Sequence, residues 1–594
     1  MHFPLYSTNQ RKEKKMKKKT FLSLRILCIV LMLTSLLAAC KGGGGNSAET
    51  TAEPLPPLTC TLSDFQIIRS DVASSDITDA TMALNRTIKE AYGKSLTYKT
   101  DLFEKDETAF EILIGNTARA ETAAVAETLQ AGDYTVEIVR TEAGAKLVIL
   151  GYNDKMTLEA IETFANMVRE KTVEENGVMK SLSHRVNLYD QYSDFTLNVG
   201  DPILVTHGDT YQNLGWGPYQ FPNLYFTTNG SIICRWGNTS DKIYGATTFN
   251  IPTSAVSDDG GLTWRAPTND DEVSYESRAL MSNGRYFAGF ASKASYVFDG
   301  ITKYRSLMTT HEGKNLYPAS VVKELDLTYY AYEYDPNTGK RTKVPCTVNW
   351  PNQIISVYPG NIVHPPQREF SLGGGLCDLA VGDKLYYCLY ARGYDPATGK
   401  LGKYSGYFSV FVFCSEDNAR TWDLVSQVYM TDAVFEESKK HSGSLEGFGE
   451  SKMSLMPDGS IVMLMRTGGN QPCYLVRSTD GCKTWSEPVK FDEVGVRPFI
   501  VTLDCGVSLA SYGRDGLFVR ATSDPSGLEW QDHIQINFSR LGREPRSCYY
   551  TYILPLSKDS ALLVYSDFYY TPTGNPADMG KSVMVRILTV EPKT

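Results

Sequence analysis

The sequence predicts a chain that folds mainly as an all-β, six-bladed β-propeller, preceded by a small N-terminal α/β domain. Three observations carry this reading. An eight-residue phrase, S-x-D-x-G-x-T-W, recurs at residues 257–264, at 415–422 with Ala419 in the glycine place, and at 478–485 with Cys482 there. Each copy adjoins apolar strand sequence, as in 408–413 (FSVFVF) before the second copy. From about residue 200 to 594 the chain reads as strands and turns, a length that suits six four-stranded blades.

The repeated phrase has the chemistry of a hairpin turn. Ser and Asp side chains accept hydrogen bonds from turn amides, glycine accepts a positive φ, and Trp packs the hairpin onto its sheet. A worn fourth copy ends at Trp530, keeping Ser523 and Gly527 but without the Asp and Thr of the pattern. Trp422 and Trp485 lie 63 residues apart, the length of one blade, while the 158 residues from Trp264 to Trp422 leave room for an intervening blade with degenerate turns. Two similar phrases, 335–340 (DPNTGK) and 395–400 (DPATGK), read as long hairpin tips.

The N-terminal segment reads as an address. A basic run at 11–19 precedes an apolar stretch at 26–37, too short for a comfortable membrane span and suited to a signal-peptide core. It ends Leu37-Ala38-Ala39-Cys40, which resembles a bacterial lipobox; the resemblance implies lipidation of Cys40 and an extracytoplasmic lipoprotein held at the cell surface. Lys41 and four glycines then supply a flexible tether within a linker at 41–59.

Residues 60–190 alternate strand and helix patterns. Leu84, Ile88, Ala91 and Tyr92 mark one helix face. A buried strand at 110–114 ends at Gly115-Asn116-Thr117, which is expected to cap a helix at 120–129. A hairpin at 134–139 and 146–150 turns around residues 142–144. Thr157 is expected to cap a helix with Leu158, Ile161, Phe164, Ala165 and Val168 on its apolar face. In pattern this segment resembles the accessory N-terminal domain of hexosaminidases and α-glucuronidases.

Composition excludes some function classes. The net charge of -9 is mild and spread out, so nothing points to nucleic acid. Beyond Cys28 and Cys40 the cysteines form no C-x-x-C, and the seven histidines are scattered, so neither a metal site nor a cofactor is expected. Cys234, Cys388 and Cys414 sit in apolar strand patterns and read as buried thiols. The 36 tyrosines fit strand packing and are equally compatible with stacking against sugars.

The turn phrase resembles the Asp-box of the sialidase (neuraminidase) superfamily, and the resemblance extends further. In 450–466, Glu450-Ser451 is followed by the Asp458-Gly459 turn and, at the end of the next strand, by Arg466. That spacing is similar to the sialidase phrase, and it implies Glu450 as the base beside a tyrosine nucleophile and Arg466 as a clamp on the substrate. Tyr550 is the implied nucleophile, with Tyr549 nearly as good; both precede a strand pair that runs on to 562–567. A neutral tyrosine suits an anomeric carbon bearing a carboxylate, which would repel a charged nucleophile. Asp241, in the loop before the first Asp-box, is the implied acid/base.

The family's arginine triad is incomplete. Gln220 stands where sialidases carry the first arginine, Arg514 fits the third place with Arg497 as its rival, and Arg235 is a possible replacement in the first blade. The resemblance implies an exo-acting glycoside hydrolase that removes sialic acid or a related terminal sugar from glycans. Gln220 leaves open a neutral terminal sugar, and a non-catalytic surface glycan-binding protein is the alternative from another class.

Overall fold

A computed structural model describes residues 57–593, less 103–106, 209–213, 269–278, 292–294, 365–377, 546–548 and a few single or paired positions. The segment holding Cys40, the apolar stretch and most of the linker lies outside the described residues. Among the described residues no helix is long and apolar enough to cross a membrane.

The N-terminal layer is a mixed six-stranded sheet. Its order is Tyr98–Thr100, Gln66–Arg69, Phe110–Ile114, Ala145–Gly151, Asp133–Arg140, Ser183–Asn187, with the first four mutually parallel and Asp133–Arg140 antiparallel to both of its neighbours. Strand alternation sorts its side chains between two apolar faces. Ile67, Ile112, Ile114, Leu147 and Ile149 meet Leu84 and Ile88 of helix Ser75–Tyr92 and Phe164 of helix Asp154–Arg169. Ile68, Leu113, Val148 and Leu150 pack on Val125 of helix Ala120–Ala126.

Two capping expectations are corrected. Asn153, not Thr157, caps the helix Asp154–Arg169, accepting from Met156 N at 3.0 Å. Thr157 lies inside the first turn, where its Oγ1 donates to Asn153 O (3.0 Å) and accepts from Gly151 N (3.0 Å). Helix Ala120–Ala126 is shorter than expected and begins after Arg119, which makes no capping bond. The Arg119 side chain instead pairs with fully buried Glu111 (3.0 Å), which Lys146 also reaches (2.9 Å). A buried carboxylate needs such partners, because an uncompensated one costs several kcal/mol of desolvation.

The rest of the chain is built from antiparallel sheets. The last long strand, Gly580–Pro592, pairs with Ser560–Tyr570 on one side and with both Ile203–His207 and Phe195–Val199 on the other. The β region therefore starts at Phe195 rather than at residue 200, and its two ends are joined in one sheet. Then come the three strands Asn223–Phe226, Ile232–Arg235 and Ser254–Ser257, and a four-stranded sheet from Val496–Thr502 to Ile534–Phe538. Between Ala279 and Asp492 twelve strands join in one hydrogen-bonded network, while five strands lying between Tyr296 and His364 form a sheet of their own. The hairpin strand Lys340–Asn349 bonds in parallel to Thr421–Val428, and Phe408 bridges Gly447. Hydrogen bonding alone thus sets one sheet apart in this stretch but does not divide the remaining twelve strands into blades.

The repeated turns form one hydrogen-bond pattern. Asp259 accepts from Leu262 N, Thr263 N and the Thr263 hydroxyl at 2.6–3.0 Å, while Ser257 Oγ accepts from Gly261 N. Asp417 and Asp480 repeat the backbone contacts. Ala419 and Cys482, in the glycine place, hold φ values of 63° and 64°. The fourth turn corrects the sequence reading, for it does have its aspartate. Asp524 lies one residue early and accepts from Leu528 N (2.9 Å) and Glu529 N (3.0 Å). Thr522 takes the serine's place, accepting from Asp524 N at 2.9 Å.

The α/β layer and these sheets share one apolar core, and 58–594 forms one compact unit. Across their contact Tyr192 OH donates to Asp559 (2.9 Å), and Lys558 pairs with Glu159 (2.8 Å).

Candidate active site

Of the residues singled out from sequence, Glu450, Arg466, Tyr550 and Arg497 meet where several strands end. Glu450 lies on Leu445–Leu455, which pairs with Ile461–Gly468. The register shifts on both sides of Gly449, so Glu450 sits in a bulge with φ 39°. A bulge breaks the strand's alternation and re-aims a side chain. Glycines permit the kink: a Cβ on Gly447, whose φ is 99°, would meet the Phe408 backbone at 2.3 Å. Arg497 occupies a second register shift, between Val496 and Phe499, with φ 42°.

Among the described residues, positive φ outside glycine is otherwise held by five asparagines, Lys171 and the turn residues Ala419 and Cys482, but six bulky residues adopt it on the segments that build this region. They are Tyr219, Phe221, Glu450, Arg497, Arg514 and Tyr549. Each such conformation costs on the order of 1–3 kcal/mol and persists only where the surroundings enforce it, which is most common at functional sites.

Tyr550 immediately precedes the strand Thr551–Pro555. Its hydroxyl donates to Glu450 Oε1. Arg466 Nη1 lies 2.8 Å from the same oxygen and 3.4 Å from the Tyr550 hydroxyl. The backbone N–H of Arg497 donates to the other oxygen, Glu450 Oε2, at 3.1 Å. The Arg497 guanidinium lies over the Tyr550 ring, 5.1 Å from its centroid. Phe221 packs edge-on against that ring at 4.8 Å.

Tyr549 is the other tyrosine considered. It is fully buried, and its Cβ would lie 2.2 Å from a methyl on Gly513. Of the two phenols, Tyr550 is thus the one joined to Glu450.

The electrostatics favour an ionised glutamate. Burial pushes the Glu450 carboxyl upward, but the Arg466 charge, the hydrogen bonds from Arg466 and Tyr550, and the Arg497 charge together hold it below its ordinary value. Arg466 remains firmly protonated: burial opposes its charge, but Glu450 and Glu446 outweigh it. Glu446, one of the contacts the sequence reading missed, lies 3.2 Å from Arg466 Nη2.

Four buried donors here have no hydrogen-bond partner among the described residues. They are Gln220 Nε2, Arg466 Nε, Arg497 Nη2 and Arg514 Nε. Unpaired buried donors are costly, so a cluster of them marks a surface prepared for acceptor oxygens. Gln220 is 1% exposed and sits in the tight turn next to Phe221, where its carbonyl accepts from Gly237 N at 2.7 Å.

Arg514 and Asp241 both touch Trp216, which the sequence reading did not single out. The Arg514 guanidinium lies over the Trp216 indole at 5.9 Å, and Asp241 N donates to Trp216 O at 3.1 Å. Asp241 itself is exposed. Gly217 makes this close approach possible, since its Cβ would lie 2.0 Å from Thr239 O. Fully buried Lys581 anchors the loop from below by donating to the carbonyls of Gly215 and Pro218. Arg235 ends its strand opposite Asn223, two residues from Phe221.

Elsewhere, Glu437, His441 and Glu493 cluster closely enough to share an ion, but Lys440 and Lys490 already pair with Glu437 and Lys490 with Glu493.

No family model matches the chain, and no curated protein is similar to it. Among solved structures it is similar to a protein of unknown function from Dyadobacter fermentans, at 15% identity over 66% of this chain and 99% of that one, with a TM-score of 0.37. It is also similar to the NanB sialidase from Streptococcus pneumoniae (14% identity, 70% of this chain and 75% of that one, TM-score 0.32). An α-L-arabinanase from Penicillium chrysogenum is similar at 13% identity over 66% of this chain and 98% of that one, with a TM-score of 0.34. With TM-scores this low, the functional reading rests on the residues themselves.

Proposed function

We propose that this protein is an exo-acting glycoside hydrolase of sialidase-like design, built on a six-bladed propeller and acting on a terminal acidic sugar. The observation that carries the reading is the hydrogen bond from Tyr550 OH to Glu450, with Arg466 beside both. An isolated phenol is a weak nucleophile and needs an adjacent base. Glu450, kept ionised, takes the Tyr550 proton as the phenol oxygen attacks the anomeric carbon. The glycosidic bond breaks, its electron pair leaves with the departing oxygen, and Asp241 protonates that oxygen. Water then releases the sugar by the reverse sequence, with net retention of configuration.

The arginines favour the acidic sugar. Arg466, Arg497 and Arg514 bring three positive charges to one place, and each has an unpaired buried donor. Arginine pairs with carboxylates by charge-assisted, often bidentate bonds. The third charge that Gln220 fails to supply is offered instead by Arg497. A neutral sugar draws support from Gln220 itself, whose unpaired amide suits a hydroxyl. We place the enzyme on the outer face of a bacterial membrane, tethered through lipidated Cys40.

The test is a screen of the purified protein against aryl glycosides of acidic and neutral sugars, with Tyr550→Phe alongside. Cleavage of an acidic glycoside that Tyr550→Phe loses supports the reading. Wild-type rates in Tyr550→Phe, or cleavage of neutral glycosides alone, overturn the mechanism or the substrate class respectively.

A further inference from the structure

Arg497 makes two contacts that a simple substrate clamp does not need. Its backbone N–H holds Glu450 Oε2 at 3.1 Å, leaving Oε1 to Tyr550 and Arg466. The carboxylate is thereby fixed in rotation, one oxygen reserved for the proton it must take. The guanidinium, on a residue 6% exposed, lies over the face of the Tyr550 ring at 5.1 Å. A cation over an aromatic face is attracted to its electron density, more so where water is excluded. Both contacts depend on the backbone at φ 42° in a strand bulge, a conformation an arginine adopts only under constraint.

We propose that Arg497 is a positioning residue that orients Glu450 through its backbone and stabilises the charge that develops on Tyr550 through its side chain; this rests on the tyrosine-nucleophile reading above. As the phenol proton passes to Glu450 Oε1, negative charge leaves the carboxylate and spreads into the tyrosine ring. Arg466, at the hydroxyl, faces the charge at its start. Arg497, over the ring, faces it where it arrives. Among the described residues, the other charged groups with a contact in this region are Glu446, which neutralises part of Arg466, and Arg514, which lies over Trp216. A preorganised charge of this kind acts on turnover more than on binding, and losing one such group typically costs about 100- to 1,000-fold in kcat.

The test compares Arg497→Met and Arg497→Lys with the parent. Both keep the backbone N–H, so only the cation over the ring changes. With an aryl glycoside substrate, Arg497→Met is expected to lower kcat about 100-fold, with a smaller rise in KM from the lost contact to the substrate carboxylate. Arg497→Lys is expected to recover at least about tenfold of that loss. The acid limb of the kcat/KM profile moves to higher pH in Arg497→Met, because Glu450 loses one of the charges that hold it ionised. A second readout needs no turnover: the phenol whose titration signal Tyr550→Phe removes should ionise at higher pH in Arg497→Met than in the parent. If the parent cleaves no glycoside, this titration still decides the role of Arg497. An unmoved phenol titration overturns the proposal, and so does a rise in KM with kcat intact, which would make Arg497 a substrate clamp only.

Discussion

Replacing Glu450 with Gln tests whether the site's charge balance is what the geometry implies. The substitution keeps shape and volume but removes the charge 2.8 Å from Arg466 Nη1. At an effective dielectric near 20, unit charges at that separation attract by about 6 kcal/mol, most of it offset by desolvation. Breaking a buried pair by removing one partner costs about 3–5 kcal/mol, because the other charge is stranded. Arg466 is not fully stranded, since Glu446 remains 3.2 Å away with a side chain 34% exposed. The expected loss is therefore smaller, about 2 kcal/mol at pH 7. The sign with pH follows from the depressed Glu450 value. Its contribution is complete above the ordinary glutamate range, about 4.3, and is lost as pH falls through the lower folded value. Urea denaturation of parent and Glu450→Gln at neutral and acid pH should thus show a gap that closes in acid. Turnover should fall about 100- to 10,000-fold from loss of the base. A stability gap independent of pH, or a Gln variant more stable at pH 7, would refute the reasoning.

Three further outcomes are expected. Gly513→Ala places a methyl 2.2 Å from the Tyr549 Cβ, so it should displace Tyr549 and the neighbouring Tyr550, lowering activity by at least about tenfold; unchanged kinetics would detach this turn from the site. Asp524→Ala should destabilise by about 1–3 kcal/mol in urea denaturation, because four donors lose their acceptor. If Cys40 carries a lipid, as proposed, Cys40→Ala should shift the expressed protein from the membrane to the soluble fraction, and retention of the variant after an alkaline wash would contradict lipid anchoring.

Much of this arrangement was legible in the sequence, for reasons that can be named. The repeated turns were visible because Asp259, Asp417 and Asp480 each satisfy amides a fixed distance ahead, and fixed geometry preserves spacing. The fourth turn was misread because one extra residue between Asp524 and Trp530 breaks the pattern while the bonds survive. Glu450 and Arg466 were found together because they sit on paired strands joined by a short turn. Tyr550 lay within reach, but nothing local separates it from Tyr549. That choice is made by Gly513 and Glu450, brought in from distant strands. Arg497 and Arg514 were ranked as rivals for one place, whereas the structure sets them over different rings, Tyr550 and Trp216, and the bulge at Val496–Phe499 that turns Arg497 has no sequence signature. The boundary at Phe195 was missed because its pairing partner, Gly580–Pro592, lies at the other end of the chain. Asn153 was passed over as a cap because Thr157, in the first turn, carries the same kind of oxygen.

The central claim is that Tyr550 is the nucleophile, and covalent trapping tests it most directly. The protein is incubated with a fluorinated glycosyl fluoride of the acidic sugar class, whose glycosyl-enzyme breaks down slowly, then digested and mapped by mass spectrometry. The account predicts one added sugar on the peptide containing Tyr550, absent in Tyr550→Phe. A label on Glu450 or Asp241, or on Tyr549, would contradict it.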